Sequence, residues 1–142
     1  MPQQLNIATT LLYETERLSH RHFESADIHQ FTFREPSKAA YDELIARMDK
    51  LYTNVTEQDT VRMLVDYRES GIPQITHIFR SGINWANGLE VHPTARMAIV
   101  TERNFMVNML SSLAETTRFS HLSINFFQTE SGYTKALDWL SA

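Results

Sequence analysis

His20 and His22 stand two residues apart in a stretch that reads as extended chain, so both imidazoles project from one face. His29 lies on the neighbouring extended segment. Three imidazoles are the donor set of a catalytic zinc site that keeps water in an open position. The strand pattern places no carboxylate beside them, and Arg21 between the pair marks an exposed polar stretch, so no metal is expected. A second set gathers at the junction Asp66-Tyr67-Arg68-Glu69-Ser70-Gly71-Ile72-Pro73. Asp66 and Glu69 are three residues apart, with His77 a little further on, and such a group can relay protons in general acid–base chemistry. A loop cap, or an ion pair with Arg68 or Arg80, is the simpler role for these carboxylates. His92 precedes Pro93 and His121 opens a strand, and no Ser/His/Asp triad assembles from the pattern. No catalytic residue is expected.

Composition narrows the chemistry further. The 142 residues contain no cysteine, which excludes disulfides, thiolate zinc sites, iron–sulfur clusters and a cysteine nucleophile. The four glycines, Gly71, Gly82, Gly88 and Gly132, are too far apart for a Walker or Rossmann phosphate loop, so no nucleotide cofactor is expected. The net charge of −4, without clusters of lysine and arginine, argues against a nucleic-acid partner. The apolar runs Met63-Leu64-Val65 and Ala98-Ile99-Val100 fall far short of the ~20 residues of a membrane span. The first residues lack a basic n-region and an apolar stretch, and the expected location is cytoplasmic.

The elements that must carry these residues follow from periodicity. Asn6–Tyr13, Arg17–Phe23 and Asp27–Phe33 read as strands, the last with Phe31 and Phe33 on one face. Ser37 is a natural N-cap, and Tyr41, Leu44, Ile45, Met48, Leu51 and Tyr52 repeat at helical spacing. Asp42, Glu43, Arg47, Asp49 and Lys50 fall on the solvated side. Val61–Tyr67 reads as a buried strand. Ile75, Ile78, Phe79, Ile83 and Ala86 then form a helical stripe that Gly88 terminates. Met97–Thr101 is a strand; Met106, Met109, Leu110, Leu113 and Ala114 form another stripe. Leu122, Ile124 and Phe126 alternate as a strand does, and Tyr133, Ala136, Leu137 and Leu140 close the chain on a helix. Strands come first and then alternate with helices, which implies crossover connections. The expected fold is α/β, a single-domain sandwich whose mixed, mostly parallel sheet is flanked by about four helices. Residues 1–34 form the N-terminal strands and residues 35–142 the alternating part. Adjacent Phe126 and Phe127 must face opposite sides of a sheet covered on both faces. Trp85, between Asn84 and Asn87, fits the helical stripe least well and is a candidate lining residue for a pocket or partner groove.

Three local motifs carry a family resemblance. Val61-Arg62-Met63-Leu64-Val65-Asp66-Tyr67, Arg96-Met97-Ala98-Ile99-Val100, and Ile124-Asn125-Phe126-Phe127 followed by Ala136-Leu137-Asp138-Trp139-Leu140 together resemble the STAS/SpoIIAA-like superfamily. These are small cytoplasmic α/β domains related to bacterial anti-sigma-factor antagonists, and the nearest branch also resembles the lipid-binding CRAL-TRIO domain. The likeness covers about residues 28–142. It implies a non-enzymatic, regulatory protein–protein interaction module. In the antagonists a serine opening the helix after this strand accepts phosphate, which makes Ser70 the candidate phosphoacceptor by position. Here Glu69 takes the place of the aspartate that precedes that serine, and the loop is short, so a capping role for Ser70 is favoured. The candidate binding surface comprises Asp66, Arg68, Glu69, Gly71, His77 and Trp85. The CRAL-TRIO likeness permits a second reading, a carrier or sensor of a small apolar molecule. An exposed edge strand from the N-terminal segment would also permit a homodimer.

Overall fold

The structure, a computed structural model, describes residues 8–102, 121–128 and 130–142. Three short strands open it: β1 (Thr9–Glu14), β2 (Leu18–Phe23) and β3 (Ile28–Phe33). They pair antiparallel as a meander, with His22 opposite His29 and His20 opposite Phe31. Asp27 makes the β2–β3 turn at φ 53°, the one positive φ of a non-glycine among the described residues. Aspartate tolerates that left-handed conformation because its short polar side chain bonds locally.

α1 (Lys38–Tyr52) begins where the sequence places it, with the Ser37 hydroxyl accepting from the Ala40 amide at 3.0 Å. It leads to β4 (Thr60–Asp66), then α2 (Ile75–Asn87), β5 (Thr94–Thr101), β6 (Leu122–Gln128) and α3 (Glu130–Ser141). The six strands lie in chain order β1 to β6, and β3 to β6 are parallel. The chain is therefore α/β with a six-stranded mixed sheet. Three helices are seen among the described residues, and the expected stripe Met106–Ala114 lies outside them.

Crossovers of one hand that step the same way across a sheet must lay their helices on the same face. α1 and α2 do so, over Val61, Met63, Val65, Met97, Ile99 and Leu122. α3 packs on the opposite face against Leu64, Ala98 and Val100. Successive residues of β4 thus enter different cores, which is why its apolar run is almost unbroken. Phe126 and Phe127 divide as expected: the first faces α2, and the second packs beside Trp139 at 6.0 Å between ring centres. Two arginines on the α3 face hold that helix by its end. Arg62 Nε donates to the Leu140 carbonyl at 3.0 Å, and Arg96 Nη1 donates to those of Trp139 and Ala142 at 2.7 and 3.1 Å. Last-turn carbonyls lack helical partners and carry the negative end of the helix dipole, so cations suit them.

Two residues assigned to the solvated side of α1 are not there. Glu43 accepts hydrogen bonds from Tyr13 Oη, Thr15 Oγ1 and Arg17 Nη1, at 3.1, 2.6 and 3.2 Å. Arg47 lies with its guanidinium 4.6 Å above the Tyr13 ring and its Nε against His20. The meander curls along α1 and takes up part of the helix face that the period of a lone helix leaves to water.

Candidate functional site

An apolar cavity of about 110 Å³ lies between α1, α2 and the sheet. Tyr41, Leu44 and Met48 wall it from α1, and Ile78, Phe79, Gly82, Ile83 and Ala86 wall it from α2. Val65, Met97, Ile99, Ile124 and Phe126 form its floor. The glycine at 82 has a steric reason: a Cβ there would stand 3.1 Å from Tyr41 Oη. That hydroxyl donates to the Ile78 carbonyl at 3.2 Å and ties the two helices together. Burial raises the pKa values of the nearby phenols: Tyr52 is pushed up to about 12, and Tyr41 and Tyr67 are raised as well. These hydroxyls are neutral at physiological pH, and no charged residue is among the described residues that line the cavity.

Trp85 stands between this cavity and an adjoining cleft of about 300 Å³ that reaches His92, Pro93 and His121. Its ring meets Tyr52 edge-on at 4.9 Å, and its Nε1 donates to Asp49 Oδ1 at 3.2 Å. Core contact and pocket lining are thus both roles of this residue.

The junction after β4 is organised around a buried carboxylate. Asp66 is 4% exposed and accepts from the Arg68 backbone amide, Nε and Nη2 at 3.0, 3.0 and 2.9 Å. The Arg68 guanidinium sits 4.5 Å above the Tyr133 ring of α3. Its side-chain hydrogen bond to Asp66 raises its pKa. Loop capping and the Arg68 ion pair therefore coexist in one group. Glu69 is exposed, and Gly71 turns the chain at φ 84°.

Ser70 does not cap a helix. α2 starts at Ile75 with Gln74 in the capping position and no side-chain capping bond, while the Ser70 hydroxyl donates to the Gly71 carbonyl at 2.7 Å. Pro73 is buried between them, and a residue preceding proline is driven away from helical geometry, which delays the helix. His77 pairs through Nε2 with Asp42 of α1 at 3.0 Å. It sits on the face of the sheet opposite Asp66, so Asp66, Glu69 and His77 are not brought together.

The histidines, in contrast, converge. His22 donates from Nε2 to Asp27 Oδ1 at 2.8 Å, and His29 Nε2 lies 3.9 Å from the same oxygen. The His22 and His29 rings stack at 4.3 Å with 14° between their planes. Behind them His20, 2% exposed, places Nε2 3.0 Å from His29 Nδ1. Arg47 Nε can only donate, and it points at His20 Nδ1 at 3.3 Å. His20 therefore carries its proton on Nε2 and gives it to His29 Nδ1, which leaves the His29 proton on Nε2. Burial first, then the facing imidazole and Arg47, lowers the His20 pKa to about 3. Burial and His22 lower that of His29 to about 4, against the opposing pull of Asp27. The carboxylate is Asp27, which the sequence pattern puts at the head of the third strand and the structure puts in the turn before β3. Its signal was the Ser25-Ala26-Asp27 turn: a tight reversal there sets His22 directly across from His29 and brings the intervening acid to both.

No family model, no curated protein and no solved structure matches this chain. Among the described residues, no helix is long and apolar enough to cross a membrane.

Proposed function

We propose that the protein is a non-catalytic, STAS/SpoIIAA-like binding domain that holds a small apolar group between α1, α2 and the sheet. The observation that carries this reading is the cavity itself, walled almost wholly by carbon and bordered by phenols that stay neutral. A closed apolar cavity of about 150 Å³ admits benzene, and this partly open one of about 110 Å³ suits a phenyl ring or the last few carbons of an acyl chain. The separation of Asp66 from His77 supports the non-catalytic part.

Ala86 lines both the cavity and the cleft beside it, and Ala86→Leu would fill the space with three carbons. Benzene, indole and hexanoate are the probes, read by thermal shift and by NMR line positions. At least one should raise the melting temperature of the wild type, and its affinity should fall at least about tenfold in Ala86→Leu, at ~0.8 kcal/mol per methylene displaced. A panel that shifts neither protein, or both equally, removes the reading.

The protein-interaction reading has one observation of its own. Leu11 and Leu12, 43% and 44% exposed, lie side by side on edge strand β1. An edge carrying adjacent exposed leucines favours pairing with another chain, a second copy included. Sedimentation equilibrium should then show a dimer that Leu12→Lys dissociates; a wild-type monomer at 100 μM or so rejects it.

A further inference from the structure

We infer that His22, Asp27 and His29 form a three-ligand site for a divalent transition cation that favours imidazole, with Zn²⁺ the natural probe. This inference is independent of the apolar cavity. Two imidazoles and one carboxylate present donor atoms that all lie within 4.8 Å of one another. Donors sharing one ion at ~2.0–2.2 Å stand roughly 3–3.6 Å apart, so the group needs to close by about an ångström. The 2.8 Å His22–Asp27 hydrogen bond is replaced by the ion, with the His22 proton moving from Nε2 to Nδ1. The remaining closure falls to His22, whose partly exposed ring must tilt out of its stack on His29 so that the two lone pairs converge.

Three further features fit a site of this kind. Asp27 is held in the left-handed region, and that conformation turns its carboxylate back toward both imidazoles. His29 Nδ1 faces the buried His20 imidazole, which can accept its proton once the pair changes tautomer, and metal-binding histidines ordinarily donate their second ring N–H in this way. Asp27 and His29 also line an open polar cleft of about 520 Å³, with Asn54, Gln58, Asp59 and Arg62, so solvent reaches the free coordination positions.

The proton positions make the inference specific. In the metal-free chain His29 carries its proton on Nε2, the atom that must bind the ion. Ligation moves it to Nδ1, which then donates to His20 Nε2, and the His20 proton passes to Nδ1. Two neutral imidazoles remain, so the pair neither gains nor loses a proton. His20 Nδ1–H then faces Arg47 Nε–H, and the 3.3 Å contact must break. Arg47 therefore holds the pair in the tautomer that cannot bind. Glutamine at 47 would offer a carbonyl to His20 Nδ1–H and favour the tautomer that can.

Calorimetric titration with Zn²⁺ tests this, with far-UV circular dichroism confirming that each variant is folded. The wild type should take up one ion per chain. His22→Gln, at a partly exposed position, and Asp27→Asn, at the exposed turn, should each weaken binding about 100-fold, whereas Arg47→Gln should tighten it about three- to tenfold. No binding by the wild type at millimolar Zn²⁺ overturns the inference. Equal affinity in His22→Gln also overturns it, by placing the ion elsewhere, as at the His92–His121 pair. So does weaker binding in Arg47→Gln.

Discussion

Arg68→Ala should lower the stability of the protein by about 3 kcal/mol, because it leaves a carboxylate buried without its partner. The Asp66 side chain is 6% exposed and sits beneath Arg68, with α3 beside it. In the native protein two guanidinium nitrogens and one backbone amide satisfy it. Alanine keeps the amide and removes both charged donors, together with the packing of the guanidinium on Tyr133. In a chain of this length the loss corresponds to a fall of roughly 9–12 °C in melting temperature. The buried charge, and not the lost contact alone, is the source. The double variant Asp66→Asn/Arg68→Met removes both charges and should recover more than half of the loss, as replacement of a whole ion pair by neutral groups often does. Urea unfolding of the three proteins measures this. A loss below about 1 kcal/mol for Arg68→Ala, or a double variant less stable than the single, contradicts the account.

The second large effect is on the acid side of neutrality. His20 and His29 are held neutral in the folded chain, with pKa values lowered to about 3 and about 4, while in the unfolded chain they titrate near ~6.5. Between those limits the unfolded state binds more protons, so stability falls as pH falls. The contribution is complete above pH ~7 and is lost progressively from pH ~6.5 toward 4. Solvent access at His29 reduces the full linkage energy, and a loss of roughly 2–4 kcal/mol by pH 4.5 is expected. Urea midpoints from pH 7.5 to 4.5, in the presence of a chelator, give the slope. His20→Met should be less stable at pH 7.5 and should lose less on acidification. An equal slope in the two proteins would remove the histidine pair as its cause.

Much of the architecture is legible in local pattern. α1 runs from Lys38 to Tyr52 as its spacing and the Pro36-Ser37 punctuation require. β4 is the buried strand its nearly continuous apolar run requires, β6 follows its alternation, and Gly88 ends α2. The start of α2 is less legible. Ser70 has the type of a cap, yet Gly71 and Pro73 hold the chain non-helical until Ile75. Glu43 and Arg47 show the same limit from the other side. Their helical period reads as solvent-facing, and only the packing of the meander gives them partners.

The candidate sites divide along the same line. The sequence by itself determined the order of the strands and of the three described helices, the apolar positions within them, and the lack of any thiol. Those depend on residue type and on spacing within one element, where the backbone period alone assigns a side. The tertiary structure decided that Asp27 meets His22 and His29, that Asp66 and His77 lie on opposite faces, and that α1 and α2 leave an apolar cavity. Each of these is set by strand register, by the side on which a crossover lands, or by the mismatch between two packed surfaces. None of those is a property of consecutive residues.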